Sequence, residues 1–193
     1  MDNTYDILQA IGLGLAFGLR PVFAPLLVAV LGAFQVGIDL RGTEVADIGH
    51  LWFAAVLALV AVGWLAYELT RGGINPIAHL TLAVLFGGIY GAGSYDQHAS
   101  TWWPGAVAGI AAAVLAWAAL TPLVSGARQR LAGEADSSMV LLAVIEFAAV
   151  VAAFLSLIFP PLAVIALIAV LVLLVRGRKK AGDSYAGLRT LTK

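Results

Sequence analysis

The chain has 193 residues, 62% of them hydrophobic and 11% charged, with no formal net charge at pH 7 and a mean hydropathy of +0.98. Soluble domains are nearer half apolar and a quarter charged, and a chain this short has no water-excluded core large enough for the surplus, so lipid must solvate most of it. The lack of cysteine excludes disulfides and thiolate metal sites, and the balanced charge gives nucleic acid no basic patch to bind.

The opening MDNTYD carries two acids and no Lys or Arg. A signal peptide begins with a basic stretch, and the apolar run that follows is too long for one, so this run is expected in the mature protein. It extends from Ile7 to about Val36 and is interrupted by Arg20-Pro21 and Pro25. About 20 residues cross the hydrocarbon at a rise of roughly 1.5 Å per residue. The run is therefore too long for one upright helix and too short for two full ones. A long tilted helix fits, as do two half-helices meeting at Arg20-Pro21. The next runs are Leu51–Leu69, a glycine-rich stretch from about Ile77 to Tyr95, and Trp103–Val124 with Pro122 near its end. The last, Met139–Val175, is nearly twice a span and holds Pro160-Pro161. Two adjacent prolines remove two backbone donors and disfavour a helix before them. Two spans are expected, about Met139–Phe159 and Pro161–Val175, joined by a tight turn.

These runs predict an all-α, polytopic membrane bundle of five to seven segments, broken at Arg20-Pro21 and Pro160-Pro161. One helical membrane domain over residues 1–176 precedes a basic tail over 177–193. Cytoplasmic loops are enriched in Lys and Arg. Arg71, Arg128, Arg130 and the tail (Arg176, Arg178, Lys179, Lys180, Arg189, Lys193) belong inside by that rule, and the loop with Asp39, Glu44 and Asp47 outside. The N-terminus lies inside if Ile7–Val36 crosses once and outside if it folds back as a hairpin; its lack of Lys and Arg leans outside.

Arg20 is the residue most in need of explanation. A charge within the membrane costs several kcal/mol, from about 2.5 to over 10 depending on the reference state. Pro tolerates the first position of a new helix. Arg20-Pro21 can therefore end one half-helix and start another, whose positive N-terminus at Pro21 and Val22 points where the guanidinium does. Gly12, Gly14 and Gly18 allow close packing on the approach. Arg20, Pro21, Val22, Gly18 and Glu146 are the expected substrate-binding set, with Glu146 as counter-charge and proton carrier. The plainer reading pairs Arg20 with Glu146, or with Glu68 as another counter-charge, for structure alone. Glu44, Asp47 and His50, with Asp96 and His98, read first as solvated loop groups, because no known metal-ligand spacing is met. His79 is expected at the membrane interface and Trp102 and Trp103 in an aromatic belt. FGGIYGAGSY lacks the lysine and strand–helix context of a nucleotide loop and reads as a close-packed helix face or as a helix loosened near its external end. No cofactor is expected.

The stretch GLGLAFGLRPVFAPLLVAVLG, followed by LWFAAVLALVAVGWLAYEL, GAVAGIAAAVLAWAALTPLVSGARQRL and VIEFAAVVAAFLSLIFPPLAVIALIAVLVLLVRGRKK, resembles a bacterial integral-membrane family catalogued as domain of unknown function 4126. The resemblance covers most of the chain, its more specific parts being the turn at Arg20-Pro21 and the acid at Glu146. Where that family carries an acidic-lysine-proline stretch, this chain reads YELTRGGINP. The resemblance implies a multi-pass protein of the bacterial inner membrane and no known activity. The residues themselves point first to a small transporter or flippase-like protein for an anionic substrate, either a phosphate-bearing lipid or a small organic anion. The alternative is a non-catalytic scaffold or partner subunit held by an Arg20–Glu146 clamp. A lipid-active enzyme ranks last, for want of a nucleophile, base or metal set. Expected partners are membrane lipids, an anionic lipid among them, and a second copy of the chain.

Overall fold

A computed structural model describes residues 3–71, 75–98, 101–130 and 135–189. Seven α-helices follow in order: α1 Asn3–Leu19, α2 Phe23–Ala33, α3 Leu51–Arg71, α4 Pro76–Asp96, α5 Trp103–Arg130, α6 Ala135–Ile158 and α7 Leu162–Arg189. A short 3-10 helix, Ala46–Gly49, precedes α3. α3, α4, α5 and α6 are each long and apolar enough to cross a membrane; α2 and the apolar part of α7 are shorter. The protein is a helical membrane bundle. Leu59 and Ile77, each 75% exposed, and Phe147, 71% exposed, stand on outer faces that only lipid can solvate.

Both proline breaks fall where the missing N–H groups place them. α1 stops at Leu19 and α2 starts at Phe23. α6 stops at Ile158, and hydrogen bonds from Leu162 N to Phe159 O and from Ala163 N to Pro160 O close the turn into α7. α7 then runs on to Arg189, so the basic segment after residue 176 continues the last helix as far as the description goes. Lys193 lies outside the described residues.

The first run folds back on itself. Gln9 Nε2, early in α1, donates to the carbonyl of Gly37, just beyond α2, at 2.7 Å. The start of α1 and the exit of α2 therefore lie at one end of the bundle, with Arg20-Pro21 at the apex between them. A Schellman-type cap terminates α2: Val36 N bonds Leu31 O at 2.8 Å and Gln35 N bonds Gly32 O at 3.0 Å, with Gln35 left-handed at φ 59°. At the same end Asp39 N bonds Gln97 Oε1, Glu44 N bonds Asp96 Oδ2, and His98 Nδ1 lies 3.2 Å from Asp6. We call this the acidic end; Arg71, Pro76 and Arg130 mark the opposite, basic end. Asn75 caps α4 there, its side chain accepting from Ile77 N and Ala78 N with Pro76 in the first helical position.

α1 is the central helix and packs on α4, α5, α6 and α7, while α2 packs on α3 and α6. Small residues make this possible. A Cβ at Gly14 would overlap the Gly109 carbonyl, and one at Gly18 the Ala113 carbonyl. The glycine-rich stretch is a regular part of α4 and packs as expected: Gly87 lies on Gly109 and Gly91 on Gly105, backbone against backbone. Phe17, Phe86 and Tyr90 fill the centre, and the Tyr90 hydroxyl donates to Pro25 O.

Candidate functional site

The break between α1 and α2 determines what gathers at the basic end. Helix α1 ends with carbonyls that have no helical partner. Arg20 N still bonds Ala16 O, but Pro21 offers no N–H to Phe17 O. The Gly18 carbonyl is taken by His79 Nε2 from α4, at 3.2 Å. A carbonyl only accepts, so Nε2 carries the proton. His79, one turn into α4, is thus buried against the bundle, 7% exposed, because the hairpin apex delivers an orphan carbonyl to it.

Arg20 is 3% exposed and three-fold engaged. Its Nη1 and Nη2 grip Glu68 Oε1 and Oε2 at 3.1 and 2.7 Å, and its Nε bonds Glu146 Oε1 at 2.5 Å. Trp64 Nε1, one turn before Glu68 on α3, donates to Glu68 Oε1 at 2.7 Å and fixes that carboxylate from behind. The Phe23 N–H at the start of α2 faces the Glu146 carboxylate. The positive helix end and the guanidinium therefore converge on one carboxyl group, that of Glu146. Glu146 Oε2 is buried without a hydrogen-bond partner.

Because the run folds at Arg20, the middle of the run is its far end. Glu68 and His79 each lie three residues from the basic ends of α3 and α4, about one turn in.

Beside this cluster, in the basic half, is a cavity of about 200 Å³. Gly18, Arg20 and His79 form one side; Trp117, Thr121 and Ser125 of α5 form another, with Leu142 and Ile145 of α6 completing it. The Nε1 of Trp117 is buried beneath the α5 side and has no partner among the described residues. Of the expected set, Arg20 and Gly18 line this cavity. Pro21 and Val22 are buried on the other side, against a small void shared with Leu57, Trp64 and Phe86. Glu146 reaches the cavity only through Arg20. Trp117, Thr121 and Ser125 were not singled out from the sequence, although their spacing of four puts them on one helix face.

A second buried polar set lies at the acidic end. Ser94 Oγ donates to Gln9 Oε1 at 2.6 Å, and Asp6 faces His98. Of the loop acids and histidines named from the sequence, Glu44 meets Asp96 through its backbone N–H, and among the described residues no three His, Asp or Glu side chains are grouped to hold a metal ion. Comparison with family models, curated proteins and solved structures finds no match to the chain. The resemblance to the bacterial membrane family rests on the quoted segments alone.

Proposed function

We propose that the protein is a small transporter or flippase-like protein for an anion, either a phosphate-bearing lipid or a small organic anion, which binds against Arg20 from the cavity. The observation that carries this reading is a surplus of donors around one cavity, on Arg20 at one side and on Trp117 at another. A guanidinium has five N–H groups, of which Glu68 and Glu146 engage three. An indole N–H can only donate, and that of Trp117 has no acceptor. A buried donor left unpaired costs about 1–3 kcal/mol, and in this reading a small turn of the indole towards a bound oxyanion removes that cost. In this reading the basic end faces the cytoplasm with the C-terminus, in the inner membrane of a bacterium.

The scaffold reading has its own support, because both carboxylates already hold Arg20. Reconstituted vesicles separate the two. Transbilayer movement of labelled phosphatidylglycerol and efflux of lactate are followed for wild type, Arg20→Gln and empty vesicles. One of the two substrates moves faster with wild type. Loss of a charged donor, worth about 1.5–3 kcal/mol, slows it roughly ten- to hundred-fold in Arg20→Gln. Wild type no faster than empty vesicles for either substrate rejects transport of both classes and favours the scaffold.

A further inference from the structure

The charge of the cluster is not balanced. Arg20 brings one positive charge, and Glu68 and Glu146 bring two negative ones, with side chains 4%, 1% and 13% exposed. An uncompensated buried charge is expensive, and a titratable group neutralises instead. From α4, His79 faces the same space, but its Nε2 is committed to the Gly18 carbonyl and a second cation beside the guanidinium is repelled. Among the described side chains, α2 brings the Phe23 N–H to the cluster, and α5 brings the neutral Trp117 and Thr121 side of the cavity. Glu68 has both oxygens engaged, by Arg20 and Trp64. Glu146 Oε2 has no partner.

We propose that the Arg20–Glu68–Glu146 cluster holds one proton at rest, on Glu146 Oε2, and takes up a second with each monovalent anion it binds. The resting proton makes the site neutral. An anion on Arg20 displaces a carboxylate and returns the site to a single negative charge. A second proton, taken from water on the side the anion enters, forms an O–H bond on the displaced carboxylate and restores neutrality. With both carboxyls then protonated, no further proton can be held. The site therefore suits a monovalent oxyanion, such as a phosphodiester or a carboxylate, and a dianion leaves it charged. The second proton rests on the anion reading above; the resting proton does not.

Infrared spectroscopy of the full chain in an ester-free detergent at neutral pH tests both halves, through the carbonyl stretch of protonated carboxyls. Wild type shows one such band from the cluster. Glu146→Gln removes it. Glu68→Gln removes it too, because the remaining carboxylate then balances Arg20 and ionises. Both substitutions keep the side-chain shape, and helix content and elution profile verify the fold. No band in wild type, or a band that survives in both variants, overturns the resting proton; survival would assign the band to another acid, such as the buried Asp6. Sodium acetate and dimethyl phosphate, a free carboxylate and a headgroup-like phosphodiester, are then added separately. A second band with acetate alone assigns small organic acids, and one with dimethyl phosphate alone assigns a lipid headgroup. A second band with neither, while native mass spectrometry detects a bound anion, overturns the proton uptake and leaves the anion reading standing. No bound anion and no second band overturn both, with the resting proton judged separately by the first comparison.

Discussion

Arg20→Gln is expected to lower the stability of the detergent-solubilised protein by about 3–5 kcal/mol, the cost of removing one partner from a buried ionic cluster. The substitution deletes the bidentate grip on Glu68 and the bond to Glu146, which together join the α1–α2 apex to α3 and α6. Glu68 lies 48 residues along the chain from Arg20, and Glu146 lies 126. Loss of the arginine therefore loosens long-range packing rather than one helix end. A double-mutant cycle gives the sharper form of the prediction. Arg20→Gln with Glu68→Gln should be less damaged than the sum of the single substitutions, by about 0.5–3 kcal/mol, because residues in one network do not contribute additively. Thermal unfolding of the four proteins measures it. Strict additivity would mean that the pair contributes nothing to the fold.

The second large effect belongs to Gly109. A Cβ there would overlap the carbonyl oxygen of Gly87 and meet the Gly91 Cα at 3.4 Å. The obstacle is helix backbone, which cannot rotate away as a side chain can. Gly109→Val therefore forces α4 and α5 apart, and overpacking of this kind costs about 1–3 kcal/mol or more. Gly63→Val on α3 is the control, since a Cβ there meets nothing within 4 Å. Unfolding temperatures should fall sharply for Gly109→Val and hardly change for Gly63→Val. Equal effects would mean that helix propensity, not the close α4–α5 contact, governs both sites.

Some of this architecture is legible in the sequence because its cause is local. Pro21 and Pro160-Pro161 break helices through missing donors, and both breaks fall where the residues put them, while Pro122 is accommodated inside α5. Glycines spaced along Ile77–Tyr95 announce a close helix contact because nothing else lets backbones touch. Arg20 is conspicuous because a charge in an apolar run needs a partner. The remaining features depend on faces that the sequence does not mark. In a soluble helix the core face is apolar and the outer face polar, so periodicity reveals orientation. Here lipid makes the outer face apolar as well, and α3 presents Leu59 and Val62 outward as readily as it buries Leu57 and Ala61. The fold-back of the first run is hidden for the same reason, since a single crossing and a hairpin share one hydropathy pattern. The burial of His79 and the unpaired Trp117 follow from that fold-back, and neither could be reached without it.

The structure also sharpens the question that Arg20 raises. A helix break with an arginine at its apex makes a positive site, and the carboxyl groups of Glu68 and Glu146 fill it. Three bonds to carboxylates leave two guanidinium donors, next to an indole N–H with no acceptor.

Native mass spectrometry of the gently solubilised protein tests the anion site most directly. Wild type is compared with Arg20→Gln and with Trp117→Phe, which removes a single N–H and leaves the ion cluster whole. The account predicts an anionic adduct that survives on wild type, is lost from folded Arg20→Gln and is weakened on Trp117→Phe. No adduct on wild type, together with a markedly less stable Arg20→Gln, would contradict the anion site and leave the three-residue cluster as an internal clamp.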